Sequence, residues 1–428
     1  MAFLSLLVAC TPTSIVDDID GGTDTDGGTD THGDTDTHGD TNNTDDSETV
    51  DQIDGTAEKG GTWPEACADF YDPDLLPTFE LDIAASEWTG LQSDCSSGTH
   101  NYRPVSFTYD GETVDAMVRL KGNWSWSCDK FQFVISFNEE DSQARFHGVR
   151  KLVLDAPWYD HTLLHERLAF PLFKARGLPH SCANNAELMV NGEYYGLYAN
   201  LERLDHEYLE RNFENPDGNL YQAGTELKTN EDTNDTSDIE ALDDARTVDE
   251  IAALMDLDQA VAEWSMEAMI PAMDNYWAGV EINYYLYSHP TRGFLYLPYD
   301  LDISFGDAAY TDGSLVWPAS ATADPITYEH SGWRKEELVE TVLADSFWCE
   351  RFVEELEISR AAFVPEDLVA QVEAWDEQIN IALIDDPNKT FSNARHTAAV
   401  DLLKEFFAER ADFVDAWLAE GSHCPAEW

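Results

Sequence analysis

The chain has 428 residues, of which 43% are hydrophobic and 13 are Trp, so it can bury a large core as one composite domain or two. Its formal net charge of −61 argues against a nucleic-acid partner, because phosphate binding requires clustered basic residues. Beyond the first residues, no stretch of the sequence is apolar enough to span a bilayer.

Residues 1–10 predict export and a lipid anchor. Residues 2–9 are apolar apart from Ser5, which is too short for a membrane span and typical of a signal peptide. Leu7-Val8-Ala9-Cys10 is similar to a bacterial lipobox, in which the Cys carries the lipid, and Thr11 favours the outer membrane or cell surface over the inner membrane. No Lys or Arg precedes the apolar run, and a buried N-terminal helix or strand is the alternative.

Residues 11–60 are predicted to form a disordered stalk rich in Asp, Thr and Gly. Residues 23–46 repeat with a period of six, contain no apolar side chain and carry like charges that repel one another. A calcium loop is the alternative, although the Glu that closes an EF-hand is missing. The stalk would hold the folded part clear of the cell envelope.

The cysteines give a second, independent argument for export. Without Cys10 the chain keeps six, none in a Cys-x-x-Cys pair, so a zinc site is disfavoured and up to three disulfides are expected. Cys95–Cys128 and Cys349–Cys424 are the predicted pairs, because each closes one local region. Six buried free thiols are the alternative.

Residues 61–204 are predicted to be rich in β-structure. Residues 77–137 have the pattern of strands, with a hairpin turn at Asp110-Gly111, and Asn191-Gly192 indicates a second hairpin. A helix is predicted at 160–176, with Asp160 as its N-cap. The predicted strands are 105–109, 114–120, 131–137, 186–191 and 194–201.

Residues 205–428 are predicted to be mainly helical. Residues 225–250 are polar and acidic, which indicates an exposed insertion. The predicted elements are helices at 205–213 and 256–272, strands at 283–288 and 294–299, and mostly helix from 334 to 419.

Four stretches of this sequence resemble the CotH kinase family, named for a spore-coat protein. The third and fourth are the most specific, and together the stretches span roughly residues 77–310. They run from Arg119 to Lys130, from Lys151 to Asp155 with Asp160 to Ala169, from Val190 to Asp205, and from Asp274 to Gly306.

The resemblance implies an α+β, atypical protein-kinase-like fold, with a β-rich N-lobe at 61–204 and a helical C-lobe at 205–428 that ends in a helical extension. It further implies transfer of the ATP γ-phosphate to Ser or Thr of a protein, with Mg²⁺ or Mn²⁺. The expected partners are the nucleotide and an unidentified envelope or surface protein, with membrane contact only through Cys10.

Lys130 begins a strand after a Gly/Ser loop, so its ammonium is predicted to reach the nucleotide phosphates, with Lys121 as the competitor. Gly122 and Ser125 are predicted to offer donors to the same phosphates. Glu202, at the end of the second hairpin, is predicted to be a hinge residue or the ion-pair partner of Lys130, and Glu166 is the other candidate partner.

Asp300 and Asp302 follow an apolar strand one residue apart, and strand alternation would point both to one side. Adjacent carboxylates repel unless a cation lies between them, so this pair predicts a Mg²⁺ or Mn²⁺ site. Asn283 is the third predicted metal ligand and Asn275 its alternative. Asp274 ends the long helix and is predicted to be the catalytic base.

Two positions depart from the family pattern. Tyr299 stands where the family often has Trp, and His165 where it often has Arg, which puts the contacts of that helix in doubt. Both leave the predicted catalytic groups in place. The alternatives to an active kinase are a surface-anchored binding lipoprotein without catalysis and an enzyme that transfers the nucleotidyl group (AMP).

Overall fold

The computed structural model describes residues 67–122, 125–156, 159–306, 320–328, 337–421 and 423–424. The predicted signal peptide, Cys10 and the predicted stalk at 11–60 lie outside these residues. Within them, no helix is both long enough and apolar enough to cross a membrane. The architecture is mixed, with helices and sheets, as the predicted α+β class requires.

The first half of the described chain forms a closed seven-stranded barrel in the order β1-β2-β3-β4-β5-β7-β6. All neighbours pair antiparallel except β1 and β6, which are parallel. The strands are β1 (Thr78–Asp82), β2 (Arg103–Tyr109), β3 (Glu112–Leu120), β4 (Phe133–Ser136), β5 (Lys151–Asp155), β6 (Ala183–Val190) and β7 (Glu193–Glu202). Closure leaves no free edge and buries an interior of aromatic and aliphatic side chains.

Both predicted hairpins are confirmed. Asp110 and Gly111 turn β2 into β3, and Asn191 and Gly192 turn β6 into β7. All four residues have φ between 47° and 79°, as a two-residue turn of the type that matches strand twist requires. The predicted strands agree with β2, β3, β4, β6 and β7 to within a few residues.

Two helices from the first half of the described chain pack on the barrel. The prediction of mainly strands over 77–137 is wrong for α1 (Ala85–Ser97), which buries Leu91, Asp94 and Cys95. The helix predicted at 160–176 is α2 (His165–Ala175), which begins five residues late. Asp160 still caps this region, because its carboxylate accepts from the amides of Thr162, Leu163 and His165 at 2.8–3.0 Å.

The rest of the described chain is mainly helical, with a four-stranded antiparallel sheet in the order β11-β10-β8-β9. The predicted insertion at 225–250 is mostly exposed or half-buried, although a short helix within it buries Ile239 and Leu242 and a second begins at its end. The elements are α3 (His206–Asn212), β8 (Asn219–Gln222), β9 (Glu226–Leu227), α4 (Ser237–Asp243), α5 (Val248–Ala252), α6 (Leu257–Met269), β10 (Tyr284–His289), β11 (Gly293–Pro298), α7 (Glu337–Ala344), α8 (Ser346–Ala362), α9 (Pro365–Asp385) and α10 (Asn393–Glu420).

Three disulfides link the described residues. Cys95–Cys128 and Cys349–Cys424 are present as predicted, and Cys67–Cys182 is the third pair. Cys95–Cys128 fastens the segment before β4 to α1, and Cys67–Cys182 joins the start of the described chain to the residue before β6. A disulfide constrains the unfolded chain more strongly when it closes a longer loop.

Arg410 fastens α10 to the end of α6. The side chain is fully buried, and its guanidinium donates to the carbonyls of Met269, Ala268, Ala321 and Ala323 at 2.6–3.2 Å. Burial lowers the pKa of Arg410 to about 9, and the charge of Asp324 opposes that shift. Asp274 follows α6, so this contact supports the backbone that carries the predicted base.

We predict that Arg410→Met lowers the free energy of unfolding by about 3–5 kcal/mol, because four buried carbonyls lose their donor. Lys404→Met is the matched control, since Lys404 lies on the same helix and, among the described residues, pairs with Asp401 at the surface; we expect a change within about 0.5 kcal/mol. Urea denaturation followed by Trp fluorescence measures both. A loss below about 1 kcal/mol for Arg410→Met would contradict the prediction.

Candidate active site

A buried ion pair lies where β3 and β5 end. Lys121 directly follows β3, Asp155 is the last residue of β5, and the Lys121 ammonium contacts the Asp155 carboxylate. Both side chains are less than a tenth exposed. The strand ends therefore present one cation and one anion at the same end of the barrel.

Two more carboxylates complete a cluster around this pair. Glu166 lies in the first turn of α2, and Asp300 lies two residues beyond β11. Asp155, Glu166 and Asp300 each offer one carboxylate oxygen, and these three oxygens lie within 4.8 Å of one another. We call these three residues together with Lys121 the carboxylate cluster.

The cluster brings together three parts of the chain that are distant in sequence. It contains one buried carboxylate oxygen that has no hydrogen-bond donor among the described residues. Glu166 is 4% exposed, and within the described residues its Oε2 atom accepts no hydrogen bond. A buried carboxylate oxygen without a donor is costly unless the group is protonated or binds a cation. The cluster thus has the features of a cation site.

The charges in the cluster act strongly on one another. Burial, then the charges of Asp300 and Asp155, raise the pKa of Glu166 well above its ordinary value, and Lys121 opposes them. Burial works against the charged form of Lys121, but Asp155 and Asp300 outweigh it, so the pKa of Lys121 is raised. Desolvation, then Asp300 and Glu166, raise the pKa of Asp302 in the same way.

Asp274 and Asn283 lie together beside the cluster. The Asn283 side-chain amide donates to the Asp274 carboxylate at 3.2 Å and to the Asp274 carbonyl at 3.1 Å. Burial, then the charge of Asp300, raise the pKa of Asp274 to about 7, while the Asn283 hydrogen bond opposes that shift. A half-buried carboxyl group with such a pKa is suited to accept a proton near neutrality.

The loops that carry these groups are held by backbone contacts. The Asn275 side-chain amide donates to the carbonyls of Asn283 and Tyr299 at 2.8 and 2.9 Å, so Asn275 joins the two loops. Asn283 and Asp300 both have positive φ, at 62° and 53°. Such conformations are uncommon outside glycine and are concentrated at functional sites.

The donor set fits a hard divalent cation. The candidate ligand atoms of Asp155, Glu166 and Asp300 are all carboxylate oxygens, and Mg²⁺ and Mn²⁺ prefer oxygen ligands. Asp155, Glu166 and Asp300 are placed to hold such an ion, and Asp302 lies close enough to feel the charge of Asp300. The geometry of the described residues therefore favours Asp155, Glu166 and Asp300 as metal ligands. Of the predicted ligands Asp300, Asp302 and Asn283, only Asp300 belongs to this group.

Asp300 and Asp302 are brought close together, but not by strand alternation. β11 ends at Pro298, and Asp300 has left-handed backbone geometry, so a turn and not a strand sets the two directions. His165 contacts the same turn, since its Nδ1 atom lies 2.7 Å from the Asp302 carbonyl oxygen. The His at this position thus packs α2 against the loop of Asp302.

The predicted ion-pair partners of Lys130 are wrong. The Lys130 ammonium contacts the carboxylate of Asp386 at 2.6 Å and the carbonyl of Leu197 at 2.5 Å. Glu202 instead accepts from Arg211 on α3 and from the amide of Cys182, both at 2.9 Å. Lys130 and Asp386 are 256 residues apart, so the sequence around either residue does not indicate that they are in contact.

Gly122 and Ser125 lie in the segment between Lys121 and Lys130. Gly122 has φ of 110°, which disfavours other residues. The Gln132 side-chain amide donates to the Ser125 carbonyl at 2.9 Å and fixes this segment over β4. The Cys95–Cys128 disulfide holds its far end.

Sequence reasoning missed Asp155 as a site residue and ranked Lys121 second. Asp155 ends an apolar run, Leu152-Val153-Leu154, in the same way that Asp300 follows β11. A carboxylate directly after a buried strand was therefore the available signal. Whether Lys121 or Lys130 is the better candidate for contacting the phosphates depends on which strand end faces α2. The sequence does not show this.

A family model described as CotH kinase protein matches residues 118–414, which is more than half of the chain. Inner spore coat protein H of Bacillus subtilis (strain 168) is 24% identical over 136 residues. That alignment covers 32% of this chain and 36% of the spore-coat protein, so the chain spans about a third of the length of this relative. The matched region contains every residue of the carboxylate cluster.

Two solved structures are similar over large parts of the chain at low TM-scores. The Helicobacter pylori proinflammatory kinase CtkA has a TM-score of 0.35 at 10% identity, covering 75% of this chain and 93% of CtkA. A Shewanella oneidensis MR-1 complex of the toxin–antitoxin proteins HipA and HipB with operator DNA has a TM-score of 0.26 at 13% identity. The match covers 64% of this chain and 60% of the matched chain. Both likenesses are too weak to establish a shared fold.

We predict that the metal-free chain becomes less stable as the pH rises. Because the pKa of Asp274 is raised from 3.8 to about 7, the folded chain retains a proton that the unfolded chain has released between these values, so stability falls across this window. Asp274→Asn should reduce the loss of stability between these pH values. Glu357 is an exposed residue on α8, and Glu357→Gln should leave that loss unchanged. Thermal unfolding midpoints with a chelator present measure this, and equal slopes for Asp274→Asn and the unaltered chain would contradict it.

Proposed function

This chain belongs to the CotH kinase protein family, and from that premise we propose that it transfers the γ-phosphoryl group of ATP to Ser or Thr of a protein. The observation that carries the proposal is the carboxylate cluster, in which one lysine and three carboxylates converge in a buried site. Phosphoryl transfer requires mainly positioning, a cation for the phosphates and an acceptor for one proton. Each requirement has a candidate group here.

Lys121 is proposed to contact the phosphates. Its ammonium remains protonated because Asp155 and Asp300 raise its pKa, and Asp155 fixes its position. This assigns to Lys121 the role that the sequence gives first to Lys130.

Asp155, Glu166 and Asp300 are proposed to hold Mg²⁺ or Mn²⁺, with Asp302 and Asn283 as further candidates. The ion, when bound, neutralises charge on the phosphate oxygens. Binding also relieves the repulsion among the carboxylates that raises the pKa of Glu166. The chain's own contribution is to hold these oxygens at a fixed spacing in a site of low exposure.

Asp274 is proposed to be the general base. Its carboxylate would take the proton of the acceptor hydroxyl as the oxygen attacks the γ-phosphorus and the bond to the ADP oxygen breaks. The Asn283 amide orients the carboxylate, and Asn275 holds the loop of Asn283. A base with a pKa of about 7 is half ionised near neutral pH.

The location of the activity is proposed to be the cell envelope. Disulfides form in oxidising compartments, and three are present among the described residues, which supports export. A lipid on Cys10 and an acidic stalk at 11–60 would place the folded part outward from the membrane. The protein substrate would then be an envelope or surface protein.

We predict that the purified full chain with Mn²⁺ and γ-labelled ATP labels itself or casein, and that Asp300→Ala abolishes the label. The effect follows from loss of one of the three carboxylates that are proposed to hold the metal. Glu357→Gln is the control that keeps all groups of the cluster. Label from α-labelled but not γ-labelled ATP would indicate nucleotidyl transfer, and no label together with no ATP-induced thermal shift would indicate a binding protein.

We predict that Asp274→Asn lowers kcat by about 10²–10⁴-fold with little change in the KM for ATP, because only proton acceptance is lost. Asn keeps the shape and the contact with Asn283. Initial rates at several ATP concentrations separate kcat from KM. A rise in KM with kcat unchanged would instead place Asp274 in nucleotide or metal binding.

A further inference from the structure

A cavity of about 310 Å³ lies between the segment before β4 and the turn that joins α9 to α10. We call residues 386–391 the α9–α10 turn. The cavity reaches sequence neighbours of the carboxylate cluster, because its lining includes Ala156, which follows Asp155, and Leu163, which lies two residues before α2. Its lining includes the cations Lys130 and Lys389, the acidic residues Asp129 and Asp386, and the aromatic residues Trp126 and Phe391.

The α9–α10 turn is bound to the barrel by a set of short contacts. The Asp386 carboxylate accepts from Lys130 Nζ at 2.6 Å and from the amide of Leu197 at 3.0 Å. The Asn388 side-chain amide donates to the carbonyl of Tyr195 at 2.6 Å. A Cβ atom at Gly196 would lie 2.7 Å from the Asp386 carboxylate, so this approach requires glycine.

Among the described residues, Lys130 and Lys389 are the two cations that line the cavity. Lys130 binds the α9–α10 turn, so Lys389 is the cation that can contact a ligand. Lys130 is buried, with its ammonium between Asp386, the Leu197 carbonyl and the ring of Tyr198 at 4.5 Å. Lys389 is half-buried, and its ammonium donates to the carbonyls of Leu383 and Ile384 at 2.6 and 3.3 Å. An ammonium has three N–H donors, so one remains for a ligand in the cavity.

The chemistry of the lining fits a nucleotide. The chain has 24 Lys and Arg against 85 Asp and Glu, yet two lysines line this one cavity. The hydroxyl groups of Ser125, Ser127 and Thr390 add polar contacts, and Trp126 and Phe391 add apolar surface suited to a base. The two lysines are close enough that the charge of Lys389 opposes protonation of Lys130, although burial is the larger influence on that pKa.

We propose that the α9–α10 turn completes the nucleotide site and that Lys389 binds a phosphate oxygen of ATP. This rests on the proposed kinase function and extends it, because it makes the last two helices part of ligand binding. The Lys130–Asp386 pair is then a positioning contact, which sets the turn against the barrel. The reactive end of the nucleotide would lie toward Asp155 and the carboxylate cluster.

Isothermal titration calorimetry of Mn²⁺–ATP into the full chain tests this. We expect Lys389→Gln to weaken the affinity by about tenfold or more, as the loss of one charge-assisted hydrogen bond implies, and Lys389→Arg to retain most of it. Lys404→Gln is the matched control, because it removes the same charge from α10 away from the turn and should bind like the unaltered chain.

Unfolding midpoints without nucleotide separate ligand binding from the contact of Lys389 with the end of α9. Affinity unchanged in Lys389→Gln, with or without a lower midpoint, would show that Lys389 only caps the helix and would overturn the inference. Equal weakening in Lys404→Gln would indicate a general charge effect and would also overturn it. If the unaltered chain binds no Mn²⁺–ATP, both this inference and the proposed kinase function fail, whereas binding that ignores Lys389 refutes the inference alone.

Discussion

The mutual repulsion of Asp155, Glu166 and Asp300 is the constraint on which the site depends. Three carboxylate oxygens within 4.8 Å of one another repel strongly when all are ionised, and Lys121 beside them offsets only part of that repulsion. Either protons or a metal must supply the missing positive charge. Burial, then the charges of Asp300 and Asp155, raise the pKa of Glu166 and favour a proton there, and under the proposed function a bound divalent cation would take its place.

The fold maintains this unfavourable arrangement because each carboxylate lies on a separately stabilised element. Asp155 ends a strand of a closed barrel, Glu166 lies in a helix with a buried first turn, and Asp300 is held by a loop bonded to the end of α6. Arg410 then ties α6 to α10 through four carbonyls. The cost of the cluster is thus offset by packing elsewhere, as expected for strained functional sites.

Features that depend on neighbouring residues, such as turns and a local disulfide, could be predicted from the sequence. Contacts between residues far apart in the sequence could not. Asn191-Gly192 and Asp110-Gly111 specify their hairpins because few other residues tolerate positive φ. Cys95–Cys128 was predictable because the pair closes a local region. By contrast, nothing near Lys130 in the sequence indicates Asp386, and nothing near Lys121 indicates which acidic residues meet it. The sequence therefore predicted Asp274 and Asp300 as site residues but did not show that Asp155 and Glu166 lie beside Asp300.

The acidity of the whole molecule bears on how such a site works. A chain with net charge −61 repels a free nucleotide, and that repulsion is screened but not removed by salt. Lys121 and a cation held by Glu166 would reverse the sign of the potential only locally, where the phosphates must lie. Metal binding would then be the step that makes the site attractive to ATP, so metal and nucleotide should bind with positive coupling. The same acidity would favour protein substrates that are neutral or basic around the acceptor hydroxyl.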